Sequence, residues 1–326
     1  MKSHAYFQGH KYGFGISPYM QELITYAGQM DCYDRCEEIL ERFTTVKVSP
    51  SQVYRVTDYV SESLKEEDHK AERTLTPLSK DDILYVELDG SMICTRNKES
   101  WKEIKLGRLF KGSDCLNPHS EFSYLHDSQY VGHFGTSVDF GEKLGRVIDS
   151  YGDLKNRLVF VTDGAAWIRE WIADHYPLSI SILDFFHVME HLYEFADKAF
   201  PTSSGKKQWC EKQKELLLVS DVETVLDNIV ATNAKEEDRQ KLITYYCNNK
   251  KRMRYRQYRT VGCGIIGSGA IESAHRTVIQ KRMKLSGQRW STKGVENMLR
   301  LRVINMNKQW SKVIDIVTPP PLAQCA

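Results

Sequence analysis

Apolar and polar positions fall in blocks that predict a sheet embedded in helices. Two short apolar runs anchor the pattern: Ile83-Leu84-Tyr85-Val86-Glu87-Leu88-Asp89-Gly90 and Leu158-Val159-Phe160-Val161-Thr162-Asp163-Gly164. Each has the length of a strand, is rich in β-branched and aromatic residues, and stops at an acid followed by glycine. That pattern marks a buried strand ending where the sheet opens to solvent. Strand character returns over residues 101–110, a hairpin partner joined through Thr95-Arg96-Asn97-Lys98, and over residues 129–138. Helical spacing covers Phe140–Tyr151 and Ala165–His175, and a last strand is expected over Ser179–Phe186. Strands and helices in this order form a mixed α/β sheet, and right-handed crossovers would set the Asp89 and Asp163 strands side by side.

Helices flank this block on both sides. Residues 17–66 carry helical spacing in Tyr19-Met20-Leu23-Ile24 and Cys36-Ile39-Leu40-Phe43, and Ser49-Pro50 opens a further helix with proline in its first turn. Three short helices fit either a helix-turn-helix or a plain bundle resting on the core. The charged run Glu62–Lys80 is expected to be a linker. Residues 189–262 show helical patterns only, at Met189–Phe200, Lys206–Val219, Val222–Ala231 and Glu236–Tyr246. Gly262–Gly269 then returns the chain to the core, which helices at Ser268–Met283 and Lys293–Gln309 close. The expected domains are residues 1–80, a helical region and linker that binds DNA; residues 81–188 with 263–311, the core; residues 189–262, an all-helical insertion; and residues 312–326, a tail.

The candidate chemistry rests on three carboxylates. Asp89 and Asp163 end strands, and Glu272 falls in the first turns of a helix that Ser268 can cap. Such a trio could converge on Mg²⁺, a hard ion that takes oxygen ligands and bridges to phosphate. Two such ions about 4 Å apart serve in-line phosphoryl transfer.

Charge sharpens this picture. The 326 residues carry a formal net charge of +2, yet residues 241–312 hold 17 Lys and Arg against two acids, Glu272 and Glu296. A basic block this dense fits a polyanion partner. Tyr245, Tyr246, Tyr255, Tyr258 and Trp290 are interleaved with the cations, as suits contact with nucleic acid. Arg252, Arg254, Arg256, Lys281, Arg282, Lys284, Arg289 and Trp290 are the candidate DNA contacts. No apolar run reaches the ~18 residues of a membrane span, and the N-terminus lacks a signal-peptide apolar region. The eight cysteines include no CxxC pair and read as reduced cytosolic thiols rather than disulfides or a zinc ribbon.

Five sequence blocks resemble prokaryotic insertion-sequence transposases of the DDE type, in the Kra group and its Mutator-like relatives. They are ELDGSMI at 87–93, WKEIKLGRLF at 101–110, VTDGAAWIREW at 161–171, ILDFFHVMEHL at 182–192 and GSGAIESAHRTVIQKRMKLSGQRWS at 267–291, in the family's order. The resemblance covers roughly residues 80 to 310. It implies an RNase-H-like catalytic core, with Asp89, Asp163 and Glu272 as the metal triad for two Mg²⁺ or Mn²⁺ ions. It also implies double-stranded DNA as partner, both as element terminal inverted repeats and as target. A homodimer or higher assembly would hold both ends, in the cytoplasm of a prokaryote and associated with its nucleoid. Asp184-Phe185-Phe186-His187 resembles the Asp-x-x-His signature of Mutator-like enzymes, which would put Asp184 and His187 beside the triad.

Other patterns carry competing readings. His187-Val188-Met189-Glu190-His191 also matches HxxEH, the zinc-peptidase pattern with two ligands one helical turn apart and a glutamate base. A catalytically silent, domesticated DNA-binding protein is a further alternative. Gly262-Cys263-Gly264-Ile265-Ile266-Gly267 fits GxGxxG but follows no strand of a βαβ unit, so it reads as a loop letting the Glu272 helix approach the site. Trp167 and Trp171 are spaced for core packing, with stacking on a flipped base as the alternative for Trp167.

Overall fold

The computed structural model describes residues 15–65, 77–96, 101–118 and 124–318. Most of the expected linker, the Asn97-Lys98 part of the hairpin turn and the tail beyond 318 lie outside the described residues. At the centre is a mixed five-stranded sheet in the order β5-β2-β1-β6-β7. Its strands are β1 (Leu84–Cys94), β2 (Trp101–Lys111), β5 (Gln129–Phe134), β6 (Leu158–Thr162) and β7 (Ile180–Leu183). A small ribbon, β3 (Cys115–Leu116) with β4 (Tyr124–Leu125), lies outside this sheet and was not legible in the sequence. β1, β2 and β5 are antiparallel neighbours, whereas β6 pairs parallel with both β1 and β7. The expected adjacency of the Asp89 and Asp163 strands is therefore present, but β1 does not end at Asp89 as expected: held by β2, it runs on to Cys94, so Asp89 lies mid-strand beside the point where β6 stops.

Strand alternation divides the two faces. Leu84, Val86, Leu88, Leu158 and Phe160 pack with α4 (Ser137–Asp149) and α5 (Ala166–His175), and Trp167 and Trp171 join that core against Phe140 and Phe160. Tyr85, Val159 and Val161 face the opposite way, toward the insertion. The insertion is helical as expected: α6 (Phe185–Ala199), α7 (Ser203–Leu218), α8 (Val222–Val230), α9 (Glu236–Asn249) and α10 (Tyr255–Tyr258).

Side-chain caps moved several expected boundaries. The strand expected over 129–138 stops at Phe134 because the Thr136 hydroxyl accepts from Asp139 N–H and starts α4 early. The strand expected to reach Phe186 stops at Leu183 because the Asp184 carboxylate accepts from Phe186 N–H and His187 N–H, opening α6.

The helix expected over Ser268–Met283 is broken into α11 (Gly269–Ala274), a π-helical turn (His275–Gln280) and α12 (Lys281–Met283). α13 (Thr292–Met306) lies near its expected place, and the expected tail in fact opens with α14 (Ser311–Val317). At the N-terminus are α1 (Pro18–Met30), α2 (Tyr33–Thr44) and α3 (Pro50–Leu64). Ser49 caps α3 ahead of Pro50, as the pattern predicts, and Ser17 caps α1 ahead of Pro18 in the same way. The three helices share one core with Leu301, Ile304, Val313 and Val317, so they form a bundle resting on the C-terminal helices. Among the described residues, no helix is long and apolar enough to cross a membrane.

Candidate active site

The β1–β6 register places the first two carboxylates. Leu84 pairs with Leu158 and Glu87 with Val161. Asp89 lies two residues past the last of these pairs, within β1, and Asp163 directly follows the end of β6, close enough for its charge to act on Asp89. Asp89 Oδ1 accepts from Gly90 N–H at 2.7 Å, and Asp163 Oδ1 accepts from Ala165 N–H at 3.0 Å. Burial pushes the Asp89 pKa up to about 6, and the neighbouring Asp163 charge pushes in the same direction. At Gly164 a Cβ would meet the Tyr245 ring at 2.8 Å, so glycine allows the insertion to close over the strand end.

Glu272 arrives on α11 across the same sheet end. Ser268 does not cap this helix with its side chain. Its hydroxyl lies 2.6 Å from Asp184 Oδ2 and 3.4 Å from Glu272 Oε1, while its N–H donates to Asp184 Oδ1 at 2.9 Å. Asp184 is fully buried and accepts from Ser268, Phe186 and His187, so it binds β7 and α6 to the Glu272 segment. Glu272 itself is exposed. Among the described residues, no group of three or more His, Cys, Asp or Glu side chains is placed to hold a metal ion. Asp89 and Asp163 are thus brought together, while Glu272 lies on the adjoining helix.

His187 stands beside this pair. Its Nδ1 lies 2.8 Å from Glu190 Oε2, and its Nε2 lies 3.8 Å from Asp184 Oδ2. Burial opposes charge on the ring, but Asp184 and Glu190 outweigh it and raise the pKa. In the HxxEH reading Glu190 is the general base, but here it pairs with His187, and His191 packs on Tyr245 with ring centroids 4.3 Å apart.

Three of the expected DNA contacts are spent inside the fold. Arg252 is 7% exposed and donates to the carbonyl oxygens of Thr162, Asp163 and Ile182 and to Asn249 Oδ1. It fastens the insertion to the ends of β6 and β7. Arg282 is 1% exposed, donates to Gly28 O and lies over the rings of Tyr33 and Trp290. Trp290 is buried and donates its indole N–H to Met283 O, and its backbone pairs with Cys94 and Arg96 at the end of β1. Arg254, Arg256, Lys281, Lys284 and Arg289 are exposed, and the Lys284 ammonium reaches Ser91 Oγ at 2.6 Å. Gly262 takes φ +51, and a Cβ there would meet Tyr85 Oη at 2.9 Å, so the GxGxxG loop serves close packing over β1.

Two residues that the sequence reading passed over line the same place. His275, at the start of the π-helical turn, is 5% exposed, with its Nε2 3.3 Å from Asp89 Oδ2. Burial and the Lys284 charge push its pKa down to about 4. Glu87, two residues before Asp89 and on the same face, is fully buried, and its Oε2 accepts from Ile271 N–H at 2.7 Å. Its available signal was a charge inside an otherwise apolar run.

Burial raises the Glu87 pKa to about 8, against the pull of the Ile271 N–H and the Arg108 charge. The folded chain therefore keeps a proton that the unfolded chain releases between pH 4.5 and about 8, and stability falls as pH rises through that window. Glu87→Gln keeps a carbonyl acceptor and carries no charge. Relative to the parent, its urea midpoint in EDTA is expected to rise progressively from pH 5 to pH 8.5. Parallel profiles would show that Glu87 is ionised in the fold.

The family described as "Uncharacterised protein family (UPF0236)" matches residues 16–316. The chain belongs to that family. A UPF0236 relative from Streptococcus gallolyticus, named "UPF0236 protein in vanSb 3'region", is 26% identical over 306 residues. The match takes in 89% of this chain and 64% of the relative, so the chain spans less than two thirds of that relative's length. The UPF0236 match includes every carboxylate of the candidate site, the helical insertion and the N-terminal bundle.

Proposed function

We propose that this protein is a DDE-type DNA transposase that cuts DNA at insertion-sequence ends and joins the freed 3′ hydroxyl to target DNA. The observation that carries the reading is the nearness of Asp89, inside β1, to Asp163, which follows the end of the adjacent parallel strand β6. The five sequence blocks that resemble such enzymes support it.

The donor chemistry fits a hard divalent cation. Asp89, Asp163 and Glu272 offer only oxygen, which favours Mg²⁺ or Mn²⁺ over zinc. The half-buried Asp89 carboxylate close to Asp163 is an arrangement that a dication would stabilise. Asp89 and Asp163 would hold the ions, joined by Glu272 after rotation of its exposed side chain. When bound, two such ions would lower the pKa of an attacking water and stabilise the leaving 3′ oxygen.

The chain's own groups do the rest. Asp184 and Ser268 hold the Glu272 helix to the sheet end, and Arg252 holds the carbonyl end of β6. Lys284 and Arg289 supply positive charge beside the strand end for a DNA phosphate. No side chain is asked to act as a nucleophile. Binding both element ends at once calls for a dimer or higher assembly.

Supercoiled plasmid carrying the reading frame and its flanking DNA is expected to be nicked in Mg²⁺ or Mn²⁺, and to stay intact in EDTA or Zn²⁺. Zinc-dependent peptide cleavage that is lost on His187→Ala would replace this reading with the HxxEH one. DNA affinity should come from the exposed cations. Each phosphate neutralised contributes about −0.9 to the slope of log K against log salt. Arg254→Ala with Arg256→Ala is expected to flatten that slope by up to about 2 units. An unchanged slope would move the DNA path away from α10.

A further inference from the structure

We infer that His275 is a positioning residue for Asp89, its Nε2–H donating to Asp89 Oδ2 and fixing the direction in which that carboxylate presents its other oxygen. The inference rests on the reading of Asp89 as catalytic. It begins from how the Glu272 segment lies on β1. Ile271 N–H meets Glu87, and four residues later His275 meets Asp89, two residues further along the strand. Four residues of helix rise about 6 Å and two residues of strand about 6.6 Å, so helix and strand advance together. One segment thereby delivers Glu272 beside Ser268 and His275 onto Asp89.

The ring is held in an otherwise costly state. It is 5% exposed, and neither nitrogen has an aligned hydrogen-bond partner. A buried polar group without a partner is uncommon in a folded protein and points to a role beyond packing. Its polar neighbours belong to Asp89: the carboxylate Oδ2, at 3.3 Å but off the hydrogen-bond line, and the main chain of the same residue. Hydrogen bonds at catalytic sites are often long before substrate or cofactor engages and tighten afterwards. The ring begins a π-helical turn, a feature that recurs at functional sites. A ring N–H directed at a ligating carboxylate fixes its orientation, as partners of metal ligands commonly do.

The test uses the full chain with His275→Leu and His275→Gln. Three quantities are read: thermal midpoint, affinity for Mn²⁺ from the free-ion electron paramagnetic resonance signal, and plasmid nicking. Leu removes two unsatisfied buried nitrogens, so its midpoint is expected to match or exceed the parent's. Its Mn²⁺ affinity should nevertheless fall about 10- to 100-fold, with nicking falling alongside. Gln, whose amide nitrogen can reach the Nε2 position, should recover most of both. Wild-type Mn²⁺ affinity in the Leu variant would overturn the inference, as would Leu and Gln losing midpoint and affinity together. If Asp89→Asn binds Mn²⁺ as tightly as the parent, the catalytic reading of Asp89 fails instead.

Discussion

Asp89→Asn is expected to give a protein that folds, binds duplex DNA and does not cut it. The exchange keeps an oxygen for the Gly90 N–H and leaves the strand register untouched. It also removes a partly buried charge that faces Asp163, so the thermal midpoint should hold or rise. What is lost is the charge that would hold a cation between β1 and the end of β6. That loss should remove several kcal/mol of transition-state stabilisation, lowering the nicking rate by at least about a thousandfold. DNA affinity measured in EDTA should stay within about threefold of the parent, since the exposed cations are unchanged. Nicking within tenfold of the parent would remove Asp89 from the mechanism.

Arg252→Ala is expected to be the most destabilising single change. The guanidinium is buried and holds three backbone carbonyls at the ends of β6 and β7. Truncation leaves those acceptors without their donor and opens a cavity between insertion and sheet. Leaving a buried acceptor without its donor costs about 1–3 kcal/mol, and here several acceptors lose theirs together. Urea unfolding should show a loss of that order, and the variant's salt slope for DNA should match the parent's. Near-native stability with a slope about one unit flatter would return Arg252 to the DNA-binding surface.

The sheet was legible because burial imposes a pattern. The two apolar runs marked strands, and crossover handedness made them neighbours, as the register shows; Asp163-Gly164 does close β6, whereas β1 continues past Asp89-Gly90 to Cys94 because β2 pairs with it throughout. The all-helical insertion was legible from an unbroken helical pattern between Met189 and Tyr246. The fate of individual cations was not. Arg252 and Arg254 are two residues apart in the same basic run, yet one is buried against carbonyls about 90 residues away and the other is exposed. Nothing local distinguishes them, because the acceptors that bury Arg252 belong to strand ends.

Trp290 and Arg282 were obscured in the same way, Trp290 by its backbone pairing with Cys94 and Arg282 by the Gly28 carbonyl and the Tyr33 ring, all distant in sequence. The π-helical turn from His275 has no composition signal, so a straight helix was the natural expectation. Asp184 drew attention through its distance to His187, whereas its main work is to cap α6 and hold Ser268.

A crystal grown with Mn²⁺ and a short DNA duplex, with diffraction recorded at the manganese edge, tests the central claim most directly. The account predicts anomalous density between the Asp89 and Asp163 carboxylates, with Glu272 turned toward it and an oxygen of the DNA backbone completing the coordination. Density at His187 and His191, or none between Asp89 and Asp163 while DNA is bound, would contradict it.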